Sequence, residues 1–353
     1  MTRFETYAVW RRVAAAIVVL TLAGCASTGP PASQAAQGSQ PTQAGASAAP
    51  TLTVTSTTPS ASAGPPPIMA PSMALEPALA TLWERAGPAN ERGWTWTPAV
   101  DPTGRIWAAS SFDNVFWIFD RGGNYLETWG TPGSGDGQLK LNTQGIGFGA
   151  VAFRADGGFY VVDSGNYRVQ QFDKNRTFVR SWGSFGTDDG QFALPIGIET
   201  DAAGNVYVYD DGPGDVQEFD PDGAFIRTAA EDVGPYMGIG PDGSVVAADH
   251  RSTLLVRFAP DGSRTLAVDI GQVASFVTDI AVASSGEIFL ASSTSGGEAF
   301  EYEHLVQLDA SGTLLHVWPN GGEGIGLDPA GDRLYMTFSD KTPLVRALAL
   351  PGE

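Results

Sequence analysis

Few side chains in this 353-residue sequence have the types and spacing for chemistry. Three acids stand out: Glu199, Asp279 and Glu323. Carboxylate oxygens brought to one point suit a hard cation such as Ca²⁺, which takes about six to eight oxygen ligands. The same acids would equally serve at a solvated surface or in ion pairs with nearby bases. Histidine occurs at His250, His304 and His316, too sparsely to mark a general base beside a nucleophilic serine. Asp163, Asp210 and Asp249 each end a short apolar run. A short carboxylate there accepts backbone N–H bonds within a loop. Trp94 and Trp96 do not recur elsewhere; with Tyr236 they offer an aromatic surface for a sugar, peptide or partner loop. A local plug of packed aromatics is the alternative.

Composition narrows the functions available. A formal net charge of −19 argues against nucleic acid, since holding a phosphate backbone needs clustered Lys and Arg. Hydrophobic residues at 42% are enough for a packed core. One cysteine excludes an internal disulfide and a multi-cysteine metal site.

Three segments are expected. In residues 1–24, Arg3, Arg11 and Arg12 precede an apolar run from Val13 to Leu22. That run is too short to span a bilayer and fits a secretory signal. It leads into Leu22-Ala23-Gly24-Cys25, which resembles the bacterial lipobox. The resemblance implies cleavage before Cys25 and a diacylglyceryl group on its sulfur. Residues 25–75 are rich in Ala, Ser, Thr, Pro, Gln and Gly, with no charged side chain. Such a stretch cannot bury enough apolar surface to offset chain entropy, so a disordered tether is expected. Residues 76–353 read as one acidic globular unit.

Internal repeats set the fold expectation. Turn glycines recur at Gly104, Gly157, Gly204, Gly243, Gly286 and Gly331, spaced 39 to 53 residues apart. Short apolar runs flank them, and no apolar stripe of helical period is convincing. A repeat of this length built from strands predicts propeller blades. Fifteen residues after the first four turn glycines stand Phe119, Phe172, Phe219 and Phe258, with Leu308 as the fifth counterpart after an insertion. Outer strands tend to end in tryptophan, as at Trp129, Trp182 and Trp318. The last repeat is one strand short, and a spare strand lies at Ala80-Thr81-Leu82-Trp83. The expectation is an all-β, six-bladed β-propeller whose N-terminal strand completes the last blade, leaving no open edge.

The second repeat, Tyr160-Val161-Val162-Asp163-Ser164-Gly165-Asn166-Tyr167-Arg168-Val169-Gln170-Gln171-Phe172-Asp173, resembles the NHL repeat of TolB-like propellers. The linkers Gly137-Gln138-Leu139 and Gly190-Gln191-Phe192 resemble it as well. Repeats four to six lack counterparts of Asn166 and Arg168.

In such a ring the first strand of each blade lines the central channel. Alignment on the turn glycines places Ala99, Ala152, Glu199, Gly238, Ala281 and Gly326 at one level, with Glu199 the exception among small residues. One level nearer the mouth come Thr97, Ala150, Gly197, Tyr236, Asp279 and Gly324, and Glu323 precedes Gly324. Trp94, Trp96, Glu199, Tyr236, Asp279 and Glu323 form the candidate ligand-binding set at the channel mouth. Glu199, Asp279 and Glu323 form the candidate Ca²⁺ set. The latter loosely resembles calcium-dependent lactonases with six-bladed propellers, in which a cation polarises an ester carbonyl. The asparagines of that family are missing here. Amidating lyases also resemble NHL propellers and hold zinc on three histidines. His304 falls in the fifth-repeat insertion and His316 in an outer strand, too far apart to share a metal.

Two functions are therefore expected in competition. One is a lipid-anchored, non-enzymatic binding or scaffold module at the bacterial cell envelope, monomeric, contacting a protein, peptide or glycan. The other is a metal-dependent hydrolase of lactones or esters.

Overall fold

The computed structural model describes residues 67–69, 74–87, 97–143, 146–147, 149–249, 253–293, 302–338 and 344–351. The expected lipobox with Cys25, nearly all of the expected tether, Trp94, Trp96 and His250 lie outside these residues.

Six antiparallel sheets follow one another along the chain as six blades. Their first strands are Ala99–Val100, Ala150–Phe153, Pro195–Thr200, Val233–Ile239, Phe276–Val282 and Gly324–Leu327. The sixth blade is completed by Thr81–Ala86, which pairs antiparallel with the last strand, Leu344–Ala349. The spare strand at the beginning of the domain thus closes the ring, as its sequence implies.

Register is the same from blade to blade. Phe119, Phe172, Phe219, Phe258 and Leu308 stand opposite Ile106, Phe159, Val206, Val245 and Ile288. A β-bulge in the pairing with the outer strand falls at each of these five residues. The six turn glycines have φ between +77° and +92°, a region open to glycine at little cost.

The middle strands are buried on both faces because a blade is covered on both sides. Ile106–Ser110 and Val115–Phe119 are buried throughout. Alternation still acts, but between two neighbours instead of between core and water. Ile106 and Ala108 join the core shared with blade 6, whereas Trp107 and Ala109 join the core shared with blade 2. One hydrophobic core fills each of the six blade interfaces. The recurrent tryptophans sit in or against these cores: Trp129 packs edge-on against Phe159 and Phe172 of the next blade.

Linkers between blades are fastened by the second repeat's polar residues. Asp163 accepts from the Lys140 backbone amide at 2.6 Å, from Asn166, from Arg168 Nε at 2.7 Å and from Gln170 Nε2 at 2.9 Å. Arg168 donates on to the carbonyls of Gly135 and Gln138. Asp210 does the same work in blade 3 through the amides of Ala193 and Leu194. The repeated aspartates at these two positions are fasteners, which is the turn role their recurrence predicts.

Two residues of the expected tether, Ile68–Met69, form a short parallel strand on Arg264–Asp269, the outer strand of blade 4. Farther along, the Glu76 amide donates to the Val317 carbonyl in blade 5, and Glu76 Oε1 meets His316 Nδ1 at 2.6 Å. Ile68–Met69 thus lie on the rim of blade 4 and Glu76 on that of blade 5, ahead of the strand that completes blade 6.

Candidate functional site

The ring of first strands encloses a chamber of about 300 Å³. Ala99, Ala152, Glu199, Gly238, Ala281 and Gly326 all line it. Their common level follows from register, since they pair with Trp107, Tyr160, Tyr207, Val246, Phe289 and Tyr335 at matching places on the second strands. Five of the six are Ala or Gly, so Glu199 is the only long side chain in that layer.

Asp279 lines the same chamber one level away. It is only 3% exposed and its oxygens are in use. Oδ1 accepts from its neighbour's amide, Ile280, at 2.9 Å, and Oδ2 accepts from the Ile325 amide of blade 6 at 2.8 Å. The Thr97 hydroxyl of blade 1 also bonds to it. Asp279 thus ties three blades around the axis. Burial pushes its carboxyl up to about 7, against the opposing pull of these hydrogen bonds.

Glu199 differs. Its carboxyl has no hydrogen-bond or ion-pair partner among the described residues. The side chain keeps some accessible surface because it faces the chamber. The protein around that chamber nevertheless desolvates it, and this burial, aided by the charge of Asp279, pushes Glu199 up to about 8. No Lys, Arg or His lines the chamber among the described residues.

The remaining candidates lie elsewhere. Glu323 is not among the lining residues; it precedes the strand Gly324–Leu327 and is 8% exposed. Its backbone amide donates to the Thr337 carbonyl. Among the described residues no three of His, Cys, Asp and Glu gather as a metal-holding group. The structure therefore brings together two of the three proposed Ca²⁺ ligands. Tyr236 packs against the core between blades 4 and 5, while its neighbours Pro235 and Met237 line the chamber. His304 Nδ1 lies 2.9 Å from the Val273 carbonyl, and His316 is stacked on Trp318 beside Glu76.

A second acidic grouping was not singled out from the sequence. Asp215 occupies in blade 3 the register position of Arg168 in blade 2, facing Asp210 on one side and Glu231 on the other. Burial, with the like charges of Asp210, Glu231 and Asp189, pushes it up to about 7. The signal was available in the repeat alignment, as an acid where a base is expected.

Fold and site define a six-bladed β-propeller with a small acidic chamber on its axis. No family model matches the chain, and no curated protein matches it in sequence. Solved structures do. A calcium-binding protein, regucalcin, from Agrobacterium tumefaciens is 14% identical, with TM-score 0.56 over 80% of this chain and 95% of its own. A gluconolactonase from Xanthomonas campestris is 16% identical, with TM-score 0.54 over 79% of this chain and 99% of its own. Virginiamycin B lyase from Staphylococcus aureus is 14% identical, with TM-score 0.51 over 76% of this chain and 99% of its own. At such identities the likeness is one of fold, and this fold hosts binders and enzymes alike.

Proposed function

We propose that this chain is a lipid-anchored binding module of the bacterial cell envelope, with the axial chamber as its ligand site. The observation that carries this reading is Glu199: an unpartnered carboxyl facing a cavity walled by small residues. An ionisable group without a partner, desolvated by the walls of a cavity, costs stability, and such groups cluster at binding and catalytic sites. Residues 1–24 serve as the export signal, Cys25 carries the lipid, and residues 25–75 tether the propeller outside the membrane. The repeats are of the NHL type, a reading that the linker-fastening set Asp163, Asn166, Arg168 and Gln170 supports. The ligand is a small molecule or a side chain presented by an envelope protein, peptide or glycan partner.

Two experiments test this. Labelled palmitate should enter the full-length protein and the protein should sediment with membranes; Cys25→Ala should abolish both. Retention of label in that variant would remove the anchor. For the chamber, capture of partners from envelope extract by the full chain should fall on Glu199→Gln. Unchanged capture would move the binding surface off the axis.

The competing reading is a cation-assisted hydrolase of lactones or esters. Its support is the sharing of one chamber by two carboxyls. A cation there would polarise a bound carbonyl. Against it, both oxygens of Asp279 already accept backbone amides, so one acid remains free for coordination. Melting of chelated protein with and without Ca²⁺ separates the readings. A cation at a hundredfold excess over its dissociation constant stabilises by about 2.7 kcal/mol. A shift of that size, lost on Glu199→Gln, would favour the hydrolase.

A further inference from the structure

We infer that the chamber receives a compact organic cation, an alkylammonium or alkylguanidinium group whose N–H donors pair with Glu199 and whose short stem lies along the apolar wall. This inference rests on reading the chamber as a binding site and names the chemistry of its ligand.

Charge balance points this way. Other buried acids of the fold have compensation: Asp163 has Arg168, Asp328 has Arg121 and Asp101 has Arg105, at 2.6 to 2.8 Å, while Asp210 accepts the backbone amides of Ala193 and Leu194. Glu199 and Asp279 share a chamber whose described lining contains no base. Asp279 is partly compensated by two amides and a hydroxyl, and Glu199 by nothing. Once ionised, Glu199 has no cation beside it among the described residues, and a cationic guest would supply one.

The shape of the site selects the kind of cation. A divalent metal ion needs several oxygen donors around it, and one free carboxylate supplies two. An ammonium or guanidinium group needs only that carboxylate, since charge-assisted N–H···O bonds are the strong ones. The rest of the wall suits an alkyl stem: Ala99, Ala152 and Ala281 share the level of Glu199, and Ile198, Met237 and Val282 also line the chamber. A volume of about 300 Å³ lies at the small end of ligand pockets, which limits the guest to a compact group.

Binding is then an exchange of cations. Without ligand, Glu199 is mostly protonated at neutral pH because its carboxyl is pushed up to about 8. An entering ammonium ion favours the ionised form, so the carboxylic O–H bond breaks and the proton leaves to buffer as the carboxylate···ammonium pair forms. No other bond changes. Affinity should therefore rise with pH up to the titration of Glu199 and level off above it.

Calorimetric titration of the full-length chain at pH 7 tests this, run in two buffers of different ionisation enthalpy. The probes are n-butylammonium, methylguanidinium, 1-butanol as the neutral shape match, and Ca²⁺. The expected result is saturable binding of at least one organic cation, release of about one proton per cation, and a loss of about tenfold or more in affinity on Glu199→Gln. Butanol binding as tightly as butylammonium, or an organic cation indifferent to Glu199→Gln, would overturn the inference. So would Glu199-dependent binding of Ca²⁺ alone, or no organic cation binding at all.

Failure of the underlying reading has its own readout. In full-length protein carrying Cys25→Ser and Ala281→Cys, a neutral and a cationic methanethiosulfonate reagent report access to the chamber. Reaction with the cationic reagent favoured about tenfold over that in the same protein with Glu199→Gln supports the cation site. Equal preference in the two backgrounds overturns the inference while leaving an accessible chamber. Reaction with neither reagent shows a closed chamber and overturns the binding-site reading along with it.

Discussion

The indole of Trp83 lies against Gly123 so closely that a Cβ on the glycine would stand 2.5 Å from the ring. Trp83 belongs to the strand that completes blade 6, and Gly123 to the outer turn of blade 1. Trp83 Nε1 also donates to the Arg121 carbonyl at 3.0 Å. The closure of the ring is therefore a seam of one aromatic plate on one bare backbone. Trp182 and Gly223 repeat the arrangement between blades 2 and 3, again at 2.5 Å.

This seam predicts the cost of a single methyl group. Gly123→Ala suffers both the left-handed backbone, φ +80°, and the collision with Trp83. A loss of about 2–4 kcal/mol is expected from strain and overpacking together. Gly262 occupies the corresponding turn of blade 4 at φ +81° with nothing within 4 Å. Gly262→Ala should cost about 1 kcal/mol, the conformational part alone. Denaturant unfolding of the two variants measures the difference, and equal losses would remove the indole contact from the account of closure.

Asp163 holds a charged partner and a linker together. Asp163→Ala leaves Arg168, whose side chain is 13% exposed, without its carboxylate and frees the Lys140 amide. Breaking a buried pair from one side costs about 3–5 kcal/mol. Asp173, half-exposed in an outer turn and with no ion-pair partner among the described residues, provides the comparison, and Asp173→Ala should lose far less in the same unfolding series.

Asp215 works against the fold at neutral pH. Its carboxyl is raised from 3.8 to about 7, so the folded state binds more protons than the unfolded chain between those values. Stability must fall as pH rises through that window, by up to about 1.4 kcal/mol per pH unit from this group. Asp215→Asn should melt higher than the parent at pH 8 and almost level with it near pH 4. Asp215→Arg, which restores the pairing of blade 2, should gain at least as much. A gain independent of pH would sink the electrostatic explanation.

Glu199 obeys the same sign. Raised from 4.5 to about 8, it takes up a proton on folding below pH 8, and the folded state loses this advantage as pH rises from about 4.5 to 8. Glu199→Gln should therefore flatten the melting temperature against pH over that range and be more stable than the parent at pH 8. The prediction needs no ligand, and a parallel pair of profiles would refute it.

Much of the fold could be read from particular residues. The turn glycines from Gly104 to Gly331 mark where φ must be positive, and a side chain at such a place carries a local cost. The phenylalanines from Phe119 to Phe258 mark one packing layer, because strand geometry repeats every two residues and the loops have constant length. The missing fourth strand of the last repeat and the spare one at Thr81 announced the closure. The candidate site was legible only in part. Alignment on the turn glycines put Glu199 and Asp279 on adjacent levels of one channel, which is their observed relation. It put Glu323 and Tyr236 at the mouth; Tyr236 packs against an interblade core, between two residues that line the chamber, and Glu323 is not among the chamber's lining residues.

What the linear chain determined by itself is the repeat: where strands run, where they turn, which residues share a layer, and how the ends meet. Those are local consequences of period, chirality and side-chain size. What only the tertiary structure decided is which acids have partners. Asp279 meets Ile325 and Thr97 because blades 5, 6 and 1 converge on the axis, although Thr97 and Asp279 are far apart in sequence. Among the described residues Glu199 meets no partner, and the five residues at its level are too small to reach it. Whether a carboxyl is a fastener or stands open to the chamber depends on what faces it across a closed ring, and no spacing along one chain records that distance.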